Sequence, residues 1–138
     1  MTTGEIVEQS KEYIKKNIER SLTVAEIAGA VGYSEYYFSR LFKNETRTSV
    51  MEYVKREKLQ RASVEIRSGK KIMDTALKYG WESHNGFTKA FKKEFGYCPA
   101  LLRAMVISMQ RLGGKSMGRT VNGRVDEHAT KAVSYTHL

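Results

Sequence analysis

Tyr36, Ser39, Arg40, Lys43 and Arg47 in the stretch GYSEYYFSRLFKNETR can donate hydrogen bonds or carry positive charge, and they recur at intervals of one, three and four residues. His84, Asn85, Thr88, Lys89 and Lys92 do the same in GWESHNGFTKAFKKE. At about 100° per residue, Phe38, Leu41 and Phe42 fall on one stripe of a helix. Tyr36, Arg40, Lys43 and Arg47 lie opposite, with Ser39 at the flank. In the second stretch Phe87, Ala90 and Phe91 form the stripe. Asn85, Lys89 and Lys92 point away from it, with Thr88 beside them and His84 at the helix start. No carboxylate stands among these outward residues. A solvated helix face usually mixes signs, whereas donors and cations without acids suit phosphate oxygens and base edges.

Other chemistries find less support. Three separated histidines and one cysteine supply neither metal-ligand spacing nor a nucleophile with its base, so neither an enzyme nor a metal or cofactor site is expected. Gly114-Lys115-Ser116 has the ending of a phosphate-binding loop, but Met109 occupies the place of its first glycine and no strand precedes it.

The two stretches are copies. Ala28 and Gly32 match Ala76 and Gly80 at one offset. One inserted residue later, Ser34, Phe38, Ser39, Arg40, Phe42, Lys43 and Glu45 match Ser83, Phe87, Thr88, Lys89, Phe91, Lys92 and Glu94. Each copy is a short helix, a glycine turn and a capped second helix, the helix-turn-helix layout. Apolar residues recur at three and four throughout, and the single proline is Pro99, so the expectation is an all-α chain of about seven helices. Capping boxes at Thr2–Glu5, Thr23–Glu26 and Ser49–Glu52 open helices. Gly32, Ser68-Gly69 and Gly80 close them, and Pro99 suits the first turn of the last. The expected division is a first helix-turn-helix lobe over 1–50, a linker helix over 51–69, a second lobe over 70–112, and a polar tail or linker over 113–138.

Twenty-four Lys and Arg against fifteen Asp and Glu give +9, the balance of a protein that meets a polyanion. Cys98 has no partner for an internal disulfide, and no apolar run is long enough to span a membrane, so a cytoplasmic location is expected.

From about Ile6 to Arg103, LTVAEIAGAVGYSEYYFSRLFKNE and ALKYGWESHNGFTKAFKKEFGYCPALLR resemble the DNA-binding domain of the AraC/XylS family of bacterial transcription regulators. The resemblance implies two helix-turn-helix lobes held by the long helix, entering successive major grooves of double-stranded promoter DNA. It implies base contacts from Tyr36, Ser39, Arg40, His84, Asn85, Thr88 and Lys89. Lys43, Arg47 and Lys92 lie further along and are expected on phosphates. The expected protein is a monomeric activator with RNA polymerase as a further candidate partner. Arg47 departs from the family pattern by standing where a helix-ending glycine is common, Cys98 by preceding Pro99 in place of Ser or Thr, and Leu102 by replacing Tyr.

Three alternatives stay open. A helical protein-interaction module would need an exposed apolar groove. An RNA binder usually stacks bases on aromatic platforms. The chain could also be the DNA-binding fragment of a larger, effector-regulated regulator, with the tail as linker.

Overall fold

Thr2 opens the first helix by a reciprocal cap: its hydroxyl accepts the Glu5 backbone N–H at 3.1 Å, and the Glu5 carboxylate accepts the Thr2 N–H at 2.9 Å. The computed structural model describes residues 2–113. Over them run seven helices: α1 (Thr3–Lys16), α2 (Val24–Ala30), α3 (Glu35–Thr46), α4 (Val50–Arg67), α5 (Ile72–Lys78), α6 (His84–Phe95) and α7 (Pro99–Gly113). No strand occurs among the described residues, so the all-α expectation holds. The sequence from 114 onward, with Gly114-Lys115-Ser116 and nearly all of the expected tail, lies outside the described residues.

Short polar side chains start most of these helices. The hydroxyl of Thr23 accepts the Glu26 N–H, and that of Ser49 accepts the Glu52 N–H, at 3.1 and 3.2 Å. Neither cap closes into a full box, because the acids are taken elsewhere. The Glu26 carboxylate is held by Tyr13 and Arg20, and Glu52 pairs with Lys55 at 3.6 Å. Ser34 and Ser83 cap α3 and α6 through the N–H groups of Tyr37 and Gly86, at 3.2 and 3.0 Å.

The turns that precede α3 and α6 share one geometry. Gly32 and Gly80 both sit in the left-handed region, at φ 85° and 99°. Their N–H groups return to the carbonyls of Gly29 and Leu77, while Tyr33 and Trp81 donate to Ala28 and Ala76 at 3.0 and 2.9 Å. This is the two-bond helix ending that a residue without Cβ adopts at least cost. The alanines and glycines that match in sequence are therefore the residues that close and reverse the chain. Their spacing fixes where each second helix begins.

The chain divides between Arg61 and Ala62 into two compact units, the boundary falling within α4. In the first, Ile14, Ile27, Phe38 and Phe42 are completely buried, and the Phe42 ring meets Phe38 and Tyr53 at 5.7 Å each. The Lys58 ammonium ties α4 to the chain after α1 by donating to the carbonyls of Ile18 and Arg20 at 2.9 Å each, and its partial burial lowers its pKa. In the second unit Phe87 and Phe91 are completely buried and Trp81 packs edge-on against Phe87 at 5.3 Å. There the Glu65 carboxylate accepts from the Tyr79 hydroxyl at 2.6 Å and the Lys78 ammonium at 2.9 Å, joining the end of α4 to α5. Full burial of each phenylalanine is worth about 1.5–3 kcal/mol, so the apolar stripes of α3 and α6 fix which faces remain outward.

Candidate nucleic-acid interface

Burial of Phe38, Leu41 and Phe42 turns the opposite side of α3 outward. Tyr36 is 72% exposed, Arg40 and Lys43 are exposed, and Ser39 is half-buried at the edge of the face. The Arg40 guanidinium donates through Nη1 to the Tyr36 hydroxyl at 3.1 Å and lies over the Tyr36 ring, 5.4 Å from its centroid. Ser39, Arg40 and Lys43 line an open groove of about 450 Å³ together with Asn44, Ser49 and Met51. Sequence reasoning missed Asn44 and Ser49. Asn44 lies one turn beyond Arg40, which was a usable signal. Ser49 belongs to the next cap and only the fold brings it near.

Arg47 follows α3 in the left-handed conformation, at φ 65°, the one non-glycine residue with positive φ among the described residues. Its side chain is exposed beyond the last turn.

The corresponding face of α6 is more polar. His84, Asn85, Lys89 and Lys92 are exposed, and no acidic residue occupies the first turn, in contrast to Glu35 at the start of α3. The positive end of the α6 backbone therefore adds to the side-chain charge around His84 and Asn85. Thr88 is half-buried. Its Oγ1 is screened from solvent and has no hydrogen-bond partner among the described residues. In this conformation the hydroxyl does not reach the outward face. Ala90, expected on the buried stripe, is half-buried between the fully buried Phe87 and Phe91.

Gly86 has a local reason to lack a side chain. A Cβ there would lie 3.1 Å from the Ser83 hydroxyl that caps the helix and 3.8 Å from Trp81. The approach to Trp81 is ordinary van der Waals contact, but the one to Ser83 is tight, so absence of the side chain leaves the cap undisturbed and offsets the weak helix propensity of glycine in the first turn.

Arg20 forms its ion pair elsewhere, with Glu26, and Lys78 forms its own with Glu65. Arg40, Lys43, Lys89 and Lys92 make no ion pair among the described residues. Two exposed faces with unpaired cations and neutral donors thus sit on α3 and α6, the second helices of the two copies. Among the described residues no cluster of His, Cys, Asp or Glu could hold a metal ion, and no helix is long and apolar enough to cross a membrane.

A family profile described as a helix-turn-helix domain matches residues 27–105. The chain is 38% identical over 92 residues to the Transposon Tn10 TetD protein of Escherichia coli, covering 66% of this chain and 67% of that one. It is 31% identical over 101 residues to the Regulatory protein SoxS of Salmonella typhimurium, covering 72% of this chain and 94% of SoxS. Of other relatives, 33% identical, it spans only 32% of the length. Among solved structures, an AraC-type transcriptional regulator from Chromobacterium violaceum superposes with a TM-score of 0.71 at 27% identity, covering 75% of this chain and 93% of that one.

Proposed function

The chain belongs to the AraC/XylS family of helix-turn-helix transcription regulators, and we propose that it reads a promoter site in double-stranded DNA by placing α3 and α6 in successive major grooves. The observation that carries this reading is the pair of outward faces on α3 and α6, rich in donors and unpaired cations and set by matching glycine turns. Arg40 is suited to the paired acceptors of guanine, and Asn85 to the donor and acceptor of adenine. Tyr36, Ser39, His84, Thr88 and Lys89 complete the base-reading set. Lys43, Arg47 and Lys92 lie towards the ends of their helices and hold phosphates.

A helix of 18 residues such as α4 is about 27 Å long, comparable with the roughly 34 Å between major grooves on one side of B-DNA. One chain would then cover a complete site as a monomer. The proposed outcome of binding is activation through contact with RNA polymerase, in the cytoplasm.

Selection of bound duplexes from a random pool tests the reading. Enrichment of two motifs separated by about 10 base pairs is expected. A pool that stays random, or affinity that ignores salt, removes DNA as the partner.

A further inference from the structure

We infer that Tyr36 is a positioning residue for Arg40: it holds the guanidinium on the outward face of α3 before DNA arrives and thereby sharpens selection of guanine in the first half-site. The inference rests on the DNA reading above and goes beyond it by giving Tyr36 a task performed through another residue. Two contacts act together. Arg40 Nη1 donates to the Tyr36 hydroxyl at 3.1 Å, and the guanidinium lies over the Tyr36 ring, 5.4 Å from the centroid. The residues stand four apart, one above the other on the same helix face.

In the free protein the tyrosine has little else to do. It is 72% exposed, so it contributes almost nothing to the core. Its hydroxyl makes no other hydrogen bond among the described residues.

Arginine carries five N–H donors in a rigid fork, and the contact with Tyr36 uses one of them. Enough remain for two parallel bonds to guanine O6 and N7. A free arginine side chain loses much rotamer freedom when it docks, so restraint before binding lowers that cost for the fork's correct partner. The second copy has no such pair, because Asn85 stands at the position of Tyr36 and Lys89 at that of Arg40. Discrimination by this device is thus confined to the half-site read by α3.

The test compares duplexes selected by wild type, Tyr36→Phe, Arg40→Ala and the double variant. Tyr36→Phe keeps the ring and removes the hydroxyl. It should lower the guanine preference by about threefold at the base position that Arg40→Ala identifies, the scale expected when one long side chain must be ordered on binding. In the Arg40→Ala background it should change that position no further. Full guanine preference in Tyr36→Phe at that position, whatever the change at a base that Tyr36 itself touches, or additive effects there in the double variant, overturn the inference.

A second measurement needs no DNA. Nitrogen relaxation of the Arg40 Nε–H group should report a more mobile guanidinium in Tyr36→Phe, and more mobile still in Tyr36→Leu. Identical mobility in all three proteins overturns the positioning role. A wild type that selects no sequence strikes the DNA reading instead, and the relaxation series still decides whether Tyr36 holds Arg40.

Discussion

Arg47 and Gly96 end α3 and α6 in the same way: each N–H donates at 2.8 Å to the carbonyl of a lysine four residues earlier, Lys43 and Lys92, and each backbone is left-handed, at φ 65° and 86°. The second copy uses the residue suited to that conformation, whereas the first places a long cation there.

Arg47→Gly separates stability from binding. The left-handed conformation costs a non-glycine residue about 1 kcal/mol, and this is offset by the roughly 0.4–1 kcal/mol of extra unfolded-chain entropy that glycine brings. The melting temperature should move by no more than about 5 °C, since 1 kcal/mol shifts a small domain by roughly 4–8 °C. DNA affinity should fall for all sequences, with the slope of log affinity against log salt shallower by about 0.9. Thermal melts and anisotropy titrations measure the two. Unaltered affinity with an unaltered slope would show that Arg47 touches no phosphate.

Arg40→Ala should cost about 1–3 kcal/mol at one guanine position and relax preference there. Lys43→Ala and Lys92→Ala should instead weaken binding to every duplex about equally and each reduce the salt slope by about 0.9. A binding-site library read at several salt concentrations distinguishes the two patterns. If Lys43→Ala changed base preference while Arg40→Ala did not, the rotation assigned to α3 would be wrong.

The matching stripes of α3 and α6, the serine caps and the glycine turns were all legible in the sequence, because each depends on spacing along a helix or on a residue type with one favoured backbone state. Side-chain partnerships were not. Periodicity places Tyr36 and Arg40 on one face without saying that the guanidinium lies over the ring. The Thr23–Glu26 spacing gives a capping box by residue type alone, but Tyr13 and Arg20, brought in by α1 and the chain after it, claim the carboxylate. Nor does helix propensity account for Gly86, whose Cβ would press on the Ser83 hydroxyl that caps α6. In each case the missing information was which rotamer or neighbour competes for the group.

That claimed carboxylate gives a pH dependence. Hydrogen bonds from Arg20 first, and then from Tyr13, lower the Glu26 pKa from 4.5 to about 2. A depressed carboxylate contributes stability that is present above its unfolded-state pKa and is lost as pH falls through the folded value. Wild type should therefore lose stability between about pH 4.5 and 2, and Glu26→Gln should lose less over the same interval. Thermal melts of both proteins across that range measure the difference. Parallel curves would show that the Tyr13–Arg20–Glu26 cluster does not couple protonation to folding.

The two-groove proposal depends on α4 acting as a spacer of fixed length and phase. Its residues before the unit boundary pack into the first unit, where Val54 and Leu59 are buried, and those after it into the second, where Ile66 is buried. An insertion in the middle of the first segment would pull Leu59 and Lys58 out of register and confound spacing with stability. Placing one alanine between Arg61 and Ala62 leaves each set in its own sequence order. Along a helix the added residue rotates the segments on its two sides by about 100° and separates them by about 1.5 Å. Circular dichroism should show helicity retained. Affinity for the complete selected site should then fall towards that for one half-site, because only one helix can dock in phase, while affinity for an isolated half-site stays near the wild-type value. Full-site affinity equal to wild type in the folded insertion variant, or a wild type that binds one half-site as tightly as both, would mean that α3 and α6 do not read two grooves together.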